Sequence, residues 1–544
     1  MSPKSLTPDL SVAPQLSLGD IEEAAELGFR TIIDNRPDDE EAGQPEAEVL
    51  AAHARRLGME FVHQPIVPGQ IGDADVEAFG RTMLGCAKPV LAFCRTGTRS
   101  TTLWALAHKD QQPPADILLT AKAAGYDLSA LLPKLERGSR PHDVVIVGGG
   151  SAGIATAASL LRRRPGLDVV IVEPRDRHFY QPGWTMVGGG IFDPSSTCRR
   201  EADVIPSGAN WVKGAVATFD PERNRVTLED GAALSYRTLI VAPGNVLDWN
   251  AVDGLEATLG RHGVTSNYSY ETAPYTWELV QDLREGVALF TQPPMPIKCA
   301  GAPQKAMYLS CDHWKRTGRL GNIDVAFHNA GAALFGVKEY VPPLMRYIDD
   351  YGIDLRLESK LIAVDGPARR ATFATKAGEI TRDFDMLHVC PPQKAPEFLA
   401  RSPLADQAGY TEVDPATMRH VRYENIFGLG DGGSTPNAKT AAAARKQAPI
   451  VAVNLLAVLD GKAPPAVYDG YGSCPLTVER GRIVLAEFGY GGKLLPSFPK
   501  WMIDGQKPQR LSWWLKGQAL PWIYWNGMLK GHEWLAKPLL ADVA

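Results

Sequence analysis

Short apolar runs alternate with helical patterns along the first part of the chain. The mostly apolar runs Thr31–Asp34 and Val90–Phe93 predict buried strands. The segments Glu46–Leu57 and Arg99–His108 predict helices. Strands and helices in alternation are typical of a small α/β domain, and a second, longer α/β pattern follows from Asp143.

The composition is that of a globular protein, because 44% of the 544 residues are hydrophobic and 22% are charged. A net charge of −5 provides no basic surface for phosphate, so nucleic acid is not expected as a partner. Seven cysteines are too few for a secreted disulfide framework, and the N-terminus lacks the apolar core of a signal peptide. No apolar run approaches the ~18 residues that cross a bilayer. We expect a reducing cytoplasm and no metal site.

A strand that runs into a glycine-rich turn opens the second α/β pattern. Gly148, Gly150 and Gly153 have the G-x-G-x-x-G spacing, and a helical pattern follows them. Such glycines permit a tight turn and let a pyrophosphate approach the helix N-terminus. A second strand ends at Glu173, where an acid accepts hydrogen bonds from a ribose. This motif alone does not distinguish FAD from NAD.

Two later segments favour FAD. Asn425–Asp431 is a strand that ends in Gly-Asp, which in flavoproteins with two nucleotide folds lies near the flavin ribitol. Leu239–Gly244 resembles the strand and turn that return the chain to the FAD domain. Lys439 either stabilises negative charge on the reduced flavin or is a solvated surface lysine. We predict FAD as the cofactor, bound near Gly244, Asp431 and Lys439.

A second nucleotide fold, for NAD(P)H, is expected between these segments, but its candidate turn is degenerate. The segment Ile323–Val337 begins with an apolar strand. Asn329, Ala330 and Gly331 then stand where phosphate-binding glycines are expected. The sequence therefore predicts an electron source other than NAD(P)H.

Two cysteines have informative surroundings. Cys299 lies in a loop of small residues before a helix whose start Pro303 marks, and Lys298 and the helix N-terminus favour a thiolate there. Cys474 lies in a second loop-like segment. Each is also compatible with an ordinary buried thiol. The weaker candidates are Cys198, which has two arginines beside it, and Cys311 and Cys390, which favour packing.

Several motifs in order resemble the sulfide:quinone oxidoreductases, particularly the type found in mitochondria and many bacteria. The resemblance covers about residue 140 to the C-terminus. In that family a flavin and a pair of redox cysteines carry electrons from sulfide to quinone. The motifs are HFYQPGWTMVGGG (178–190), PIKCAGAPQKAMYLS (296–310), NAGAALFGVKEY (329–340), GLGDGGSTPNAKTAAAA (428–444) and YDGYGSCPL (468–476).

The resemblance implies a role for each cysteine of the pair. Hydrogen sulfide would attack a Cys299–Cys474 disulfide at the Cys474 sulfur, which leaves a persulfide there and a thiolate on Cys299. A small thiol or sulfite would accept the outer sulfur, and quinone would take the electrons. The chemistry fits an enzyme without an NAD site.

The C-terminal region is rich in tryptophan, with six of the 12 tryptophans after residue 500. Leu511, Trp514 and Leu515 fall on one side of a helix, with Lys516 elsewhere, and Pro521 is expected to break that helix. Such helices suit a bilayer interface, although they could also only cover the catalytic core. We expect a peripheral protein at the cytoplasmic face of the membrane.

A cysteine loop marks the N-terminal domain. Cys94 follows a strand and four residues separate it from Arg99, so that loop amides, Arg99 and the helix dipole would stabilise an anion at the sulfur. Together with Asp34–Pro37 and His63–Pro65, the loop resembles small phosphatase-like domains of the sulfurtransferase type. A tight loop favours a persulfide over a phosphate, while a cysteine phosphatase and a non-catalytic module remain alternatives.

The predicted fold is α/β: a small phosphatase- or rhodanese-like domain, then a two-Rossmann-domain FAD flavoprotein of the disulfide-reductase type with C-terminal amphipathic helices. Two alternatives for the flavoprotein are a type II NADH dehydrogenase and a non-catalytic flavin redox sensor. The predicted divisions are a domain at 1–135, a linker at 136–142, FAD-binding parts at 143–250 and 385–470, a degenerate nucleotide fold at 251–384, and a cysteine and membrane region at 471–544.

Overall fold

The computed structural model describes residues 1–109, 112, 114–135 and 141–541. These residues divide into two compact units, one within Met1–His142 and Arg225–Ser235 and the other within Asp143–Asn224 and Tyr236–Ala544. Most of the predicted linker, residues 136–140, lies outside the described residues.

The described N-terminal residues form one mixed sheet with helices. The sheet order is β1-β2-β5-β3-β4, in which only the pairing of β1 with β2 is antiparallel. The strands are β1 (Lys4–Thr7), β2 (Leu10–Ala13), β3 (Thr31–Asp34), β4 (Glu60–His63) and β5 (Val90–Phe93). The helices are α1 (Leu18–Glu26), α2 (Ala47–Arg56), α3 (Asp73–Gly85), α4 (Thr98–Ala107), α5 (Pro114–Ala123) and α6 (Leu132–Leu135).

The central strands β3 and β5 are buried along their whole length, because helices cover both faces of this sheet. The two strands are parallel, with Asp34 opposite Phe93. Their carboxyl ends therefore lie at one edge of the sheet, and the loop that begins with Cys94 leaves β5 there and leads into α4.

The first part of the second unit is a nucleotide-binding type of sheet. Strands run in the order β10-β7-β6-β13, and β24 pairs with β13 in parallel. The elements up to β13 are β6 (His142–Val147), α7 (Ser151–Arg163), β7 (Val169–Val172), β8 (Arg177–Phe179), α8 (Trp184–Val187), β9 (Cys198–Arg200), β10 (Ala209–Val212), β11 (Val216–Asp220) and β13 (Ala233–Val241). Strand β12 (Arg225–Leu228) lies in the segment that is assigned to the first unit.

A second parallel sheet follows, in the order β15-β22-β16-β17-β18, beside a three-stranded antiparallel sheet, β19-β20-β21. Its elements are β14 (Val246–Leu247), α9 (Leu255–Thr258), β15 (Val264–Thr265), α10 (Ala273–Asp282), β16 (Gly286–Gln292), α11 (Ala302–Arg316), β17 (Ile323–Asn329), α12 (Val341–Asp350), β18 (Asp354–Leu357), β19 (Lys360–Asp365), β20 (Arg370–Thr375), β21 (Gly378–Asp383), β22 (Met386–His388) and β23 (Gln393–Lys394).

The order of this sheet corrects the position of the degenerate phosphate turn. Because β17 lies on one side of β16 and β22 on the other, the order reverses at β16, and the crevice at its carboxyl end is where such folds bind ligands. The equivalent of a phosphate loop is therefore the turn after β16, not the turn after Ile323–Asn329. The turn after β16 contains Cys299 and leads directly into α11.

The remaining elements return to the sheet that contains β6 and β13, and then form the C-terminal region. They are α13 (Glu397–Ala400), β24 (Ile426–Gly428), α14 (Ala441–Leu459), β25 (Ala466–Val467), β26 (Gly472–Glu479), β27 (Arg482–Phe488), α15 (Arg510–Trp514), α16 (Leu520–Asn526) and β28 (Leu539–Leu540). A π-helical segment joins α15 to α16. Pro521 therefore does not end the helical region, as the sequence suggested, but lies in the first turn of α16, where a missing N–H costs little.

The C-terminal region packs into the hydrophobic core around the nucleotide-binding type of sheet that contains β6. Tyr524, Trp525, Met528 and Leu529 are buried in the same hydrophobic cluster as β6, α7 and α14. One helix in the described chain, α14, is long and apolar enough to span a membrane by length and composition, and 61% of that stretch is buried inside the protein. Its packing against α7 accounts for its apolar character.

Candidate active site

The glycine turn between β6 and α7 has a distinct geometry at each glycine. Gly148 has φ +106°, and a Cβ there would lie 2.3 Å from the Ala242 carbonyl oxygen. A Cβ on Gly153 would lie 2.0 Å from the Gly148 oxygen, so only glycine lets α7 pack this closely. Gly150, the N-cap of α7, has open space where a Cβ would be. The turn leaves room for a phosphate group at the helix N-terminus.

Glu173 lies directly after β7 at the edge of this turn. Its Oε2 accepts a hydrogen bond from the Gly149 N–H at 2.9 Å, and its Oε1 accepts one from the Arg175 N–H at 3.0 Å. The carboxylate is thereby fixed beside the glycines. The turn and Glu173 together fit the phosphates and ribose of a dinucleotide.

A cavity with a volume of about 480 Å³ lies at the glycine turn and Glu173. The other residues that the sequence predicted to bind the cofactor line this cavity as well: Gly244, Asp431 and Lys439. Gly244 follows β13 with φ +75°, and Asp431 follows β24. Lys439 is not a solvated surface lysine, since it is only 8% exposed. Its Nζ donates to the carbonyl oxygens of Asp431 and Gly433 at 2.8 and 2.7 Å. Burial lowers the pKa of Lys439, although the Asp431 carboxylate opposes this.

Cys299 faces the cavity from the turn after β16. It adopts a φ of +50°, in the left-handed region that non-glycine residues rarely occupy. Its backbone N–H donates to the carbonyl oxygen of Lys439 at 2.7 Å, and its own carbonyl accepts from the Ala302 N–H at the start of α11. These bonds hold the sulfur at the helix N-terminus, where the dipole favours a negative charge.

Cys474 lies in strand β26 and not in a loop, so the sequence prediction of its setting was wrong. The residue is 1% exposed, whereas its neighbours Ser473 and Pro475 line the cavity. A hydrogen bond with Cys474, and then the charge of Lys305, hold the pKa of Cys299 well below its usual value. The pKa of Cys474 is raised in turn by the hydrogen bond with Cys299 and by burial. Cys299 is therefore the thiolate of the pair.

Two lysines that the sequence analysis did not select surround Cys299. Lys305, in the first turn of α11, places its Nζ 3.1 Å from the Cys299 Sγ. Lys516, in the C-terminal π-helical segment, is 3% exposed and donates to the Pro182 carbonyl oxygen at 3.0 Å. Burial, together with the charge of Lys305, lowers the pKa of Lys516 to about 7.

The cation predicted from the sequence is engaged elsewhere. Lys298 donates from its Nζ to the Gln181 Oε1 at 2.8 Å. Lys305 stands in the quoted segment 296–310, close to Pro303 at the start of α11, and its helical position was the available signal. No local signal pointed to Lys516, which is brought in from the far end of the chain.

The remaining cysteines of this unit are not activated. Burial raises the pKa of Cys198, although the Arg177 charge opposes this. The two arginines beside Cys198 are engaged, with Arg199 over the Trp525 ring at 4.2 Å and Arg200 paired with an aspartate. Cys311 and Cys390 are buried, and burial raises the pKa of both.

The N-terminal unit presents Cys94 in the loop between β5 and α4. The Cys94 Sγ accepts a hydrogen bond from the Gly97 N–H at 3.1 Å, and Gly97 has φ +90°. Arg99, expected to stabilise an anion at the sulfur, donates instead to the Glu40 Oε2 at 2.7 Å and to the Ile66 carbonyl oxygen at 2.6 Å. Glu40 thereby holds the guanidinium of Arg99 in an ion pair.

Two family models match the chain. The phosphatase-like domain of beta-lactamase hydrolase-like protein matches residues 3–111, and pyridine nucleotide-disulphide oxidoreductase matches residues 142–274. The beta-lactamase hydrolase-like protein of Agrobacterium fabrum is 36% identical over 137 residues, which are 24% of this chain and 32% of that protein. The predicted fold class, a phosphatase-like α/β domain before a flavoprotein of the disulfide-reductase type, is confirmed.

The similarity of the second unit extends over most of its length. The mitochondrial sulfide:quinone oxidoreductase of Dictyostelium discoideum is 42% identical over 400 residues, 73% of this chain and 88% of that protein. The corresponding protein of Mus musculus is 40% identical over 394 residues, 72% of this chain and 87% of that protein. The solved sulfide:quinone oxidoreductase of Aquifex aeolicus shares the fold, with a TM-score of 0.60 at 18% identity over 74% of this chain and 97% of that one. The chain belongs to the sulfide:quinone oxidoreductase family.

Proposed function

We propose that this flavin-dependent oxidoreductase oxidises hydrogen sulfide to sulfane sulfur with FAD as its flavin, and that quinone takes the electrons. One observation carries the proposal: the Cys299 sulfur, with Lys305 beside it, faces the same cavity as the glycine turn at Gly148–Gly153. A cysteine pair at this place can exchange electrons with a bound flavin. The names of the relatives support the choice of substrates.

Residues at the ends of strands β6, β7, β13 and β24 would hold FAD. The glycine turn would receive the pyrophosphate, Glu173 would accept hydroxyl groups of the ribose, and Asp431 and Gly244 line the same cavity as Cys299. Lys439, buried beside Asp431, places a positive charge in the same cavity. When bound, FAD would supply a two-electron carrier between the Cys299–Cys474 pair and quinone.

The cysteine pair performs the sulfur chemistry. Hydrosulfide attacks the Cys474 Sγ of a Cys299–Cys474 disulfide, which forms a new S–S bond at Cys474 and breaks the old one, and Cys299 leaves as a thiolate. Attack in this direction is favoured because the thiol of lower pKa is the better leaving group, and Lys305 stabilises the Cys299 thiolate. Ser473 and Pro475, which line the cavity, flank the approach to Cys474.

A nucleophilic acceptor, a small thiol or sulfite, then takes the outer sulfur and leaves Cys474 as a thiolate. The two thiolates re-form their disulfide and give up two electrons, and quinone takes these with two protons. Sulfide thereby loses two electrons and quinone gains two. No step requires NAD(P)H, in agreement with a cysteine loop at the position where a phosphate loop would stand.

The C-terminal region is proposed to contact a membrane surface, where a lipid quinone is available. Trp501 is 82% exposed, and Trp514 and Trp522 are 57% and 56% exposed. Exposed indoles of this number are typical of proteins that rest at the headgroup layer. Leu515 and Leu520 of the same region line the cavity, so the region would connect the bilayer with the flavin site.

The N-terminal domain is proposed to be a sulfurtransferase that receives sulfane sulfur on Cys94. A sulfur on Cys94 would meet the loop at the Gly97 N–H, which already donates to the Cys94 Sγ. A cysteine phosphatase is the second candidate, because the family model that matches the domain is phosphatase-like. Cys94 would act as the nucleophile in either reaction.

Anaerobic addition of sulfide to the purified full chain tests the main proposal. Sulfide is expected to bleach the flavin absorbance, and a quinone is expected to restore it. The acid-released cofactor should have the mass of FAD. Flavin that sulfide leaves oxidised would contradict the proposed reaction, whereas a protein that binds no FAD would contradict the proposed cofactor.

A further inference from the structure

A second buried carboxyl group lies beside the glycine turn. Glu201 directly follows β9 and is 1% exposed. A Cβ placed on Gly149 would lie 2.6 Å from the Glu201 Oε1 and 2.7 Å from the Glu173 Cβ. The two acids therefore flank Gly149, although their positions in the chain differ by 28.

Among the described residues, one oxygen of this carboxyl group has no hydrogen-bond partner. The Glu201 Oε2 lies 3.5 Å from the His178 Nδ1. The Oε1 is buried and, within the described residues, makes no hydrogen bond. An unsatisfied buried polar group is costly, so a native protein rarely keeps one without a ligand or a water to pair it. Glu201 lines the cavity, and a molecule bound there can supply the missing donor.

Two buried side chains beside Glu201 hold its position. The His178 Nε2 lies 2.6 Å from the Tyr524 hydroxyl of α16, and both side chains are buried. His178 also approaches the Gly149 carbonyl oxygen through its Nδ1, at 3.2 Å. His178 and Tyr524, which line the cavity beside Glu201, thus support the carboxyl group, and the C-terminal region contributes to that support.

The chemistry of the pocket decides which group of a dinucleotide meets Glu201. A carboxyl group so close to Glu173 suits hydrogen-bond donors and would repel a pyrophosphate. Both oxygens of Glu173 already accept a backbone N–H, from Gly149 and from Arg175. A ribose offers two hydroxyl donors, and Glu173 and Glu201 together offer an acceptor for each.

We propose that the Oε1 of Glu201 accepts a hydrogen bond from a hydroxyl of the adenosine ribose of FAD, beside Glu173. The proposal rests on FAD being the cofactor. Glu201 is then a cofactor-binding residue, and His178 and Tyr524 are positioning residues that act through it.

The test measures FAD affinity of the flavin-stripped full chain by fluorescence titration. Glu201→Leu is expected to weaken FAD binding about tenfold, and Glu201→Gln, which keeps a neutral acceptor, less than Glu201→Leu. Asp203→Asn is the matched control, because Asp203 lies in the same turn with a 47% exposed side chain. It should bind FAD like the unchanged chain. Melting temperatures of the stripped proteins separate a loss of fold from a loss of affinity.

FAD analogues that lack the 2′- or the 3′-hydroxyl of the adenosine ribose identify the bond. With one of the two analogues, Glu201→Leu and Glu201→Gln should bind as tightly as the unchanged chain, because the donor is gone. Unchanged FAD affinity in Glu201→Leu would overturn the proposal. So would an equal loss with FAD and both analogues, which indicates a buried water or a structural role. An unchanged chain that binds no FAD instead refutes the cofactor.

Discussion

The Nζ of Lys305 lies 3.1 Å from the Sγ of Cys299, in the first turn of the helix that Cys299 precedes. Burial disfavours the charge of Lys305, which is 2% exposed, but the charges of Cys299 and Cys474 and the hydrogen bond with Cys299 together outweigh burial and raise the lysine pKa. Each group therefore stabilises the charged form of the other. The pair explains how a thiolate persists in a buried site.

Replacing Lys305 with Met should raise the pKa of Cys299, because the methionine keeps the volume of the side chain and removes the charge. The pH at which sulfide reduces the flavin at half its maximal rate should rise, by about one unit for every tenfold loss of thiolate. Stopped-flow reduction between pH 6 and 9 measures this. Lys315→Met, at an exposed position of the same helix, is the control. An unshifted pH profile in Lys305→Met would show that Lys305 does not set the Cys299 pKa.

Replacing Cys299 or Cys474 with Ser should abolish reduction of the flavin by sulfide and leave the flavin bound. Each sulfur is needed for disulfide exchange, whereas neither sulfur lies in the glycine turn that is proposed to bind the dinucleotide. Absorbance after anaerobic sulfide addition gives the result, with the half-buried Cys198→Ser as the control. Normal turnover in either variant would remove that residue from the pair. NADH that reduced the enzyme as fast as sulfide would revive the dehydrogenase alternative.

The exposed tryptophans should anchor the protein to membranes. Truncation from about Gln509 would also remove Lys516 from the cysteine site and Tyr524 from the core, so it is a poor test. The double variant Trp501→Ser and Trp514→Ser should lose most sedimentation with liposomes and retain flavin reduction by sulfide. Leu84→Ser, at an 89% exposed position of the N-terminal unit, controls for loss of exposed apolar surface. Undiminished sedimentation of the double variant would refute this anchor.

Lys516 should make stability depend on pH. Its pKa falls from the ordinary lysine value to about 7 in the folded protein, so the unfolded chain binds one more proton between pH 7 and about 10.5. The resulting cost to folding is complete below pH 7 and disappears as the pH rises towards 10.5. Lys516→Met should therefore raise the melting temperature more at pH 6 than at pH 9. The variant also loses the hydrogen bond to the Pro182 carbonyl oxygen, but this loss changes the melting temperature equally at both pH values.

Lys530→Met, at an exposed position, should change the melting temperature equally at both pH values. An equal change in Lys516→Met as well would mean that Lys516 titrates normally in the folded protein.

Cys94 should carry a sulfane sulfur. Incubation of the full chain with thiosulfate or a persulfide donor, followed by intact mass measurement, should show a gain of one sulfur in a Cys299→Ser and Cys474→Ser background. The gain should vanish when Cys94→Ser is added to that background. Hydrolysis of an aryl phosphate that depends on Cys94, with no sulfur gain, would favour the phosphatase.

The features that the sequence predicted well are local ones. The glycine turn at Gly148–Gly153 and the helix α7 after it follow from steric rules that act within a few residues, because only glycine tolerates the φ of Gly148 and the contact at Gly153. The predicted strands Thr31–Asp34 and Val90–Phe93 are β3 and β5, since short apolar runs are buried in the middle of a sheet.

The errors of the sequence analysis concern contacts between distant segments. Cys474 was assigned to a loop-like segment, yet pairing with β27 makes it part of a strand. Lys516 was assigned to the polar side of an amphipathic helix, and a surface position was left open for Lys439, yet both are buried. Polar side chains beside apolar residues give no indication of which face will be covered, because the covering segment lies elsewhere in the chain.

The sequence by itself determined the two folds, the dinucleotide turn and the presence of candidate cysteines, because periodicity, glycine geometry and motif spacing are properties of short segments. Only the tertiary structure decided that the turn after β16 brings Cys299 to the cavity, that Lys305 and Lys516 surround its sulfur, and that Glu201 lies beside Glu173. The charge on a buried sulfur depends on what packs around it, and packing joins residues that are far apart in the chain, as Cys299 and Lys516 are.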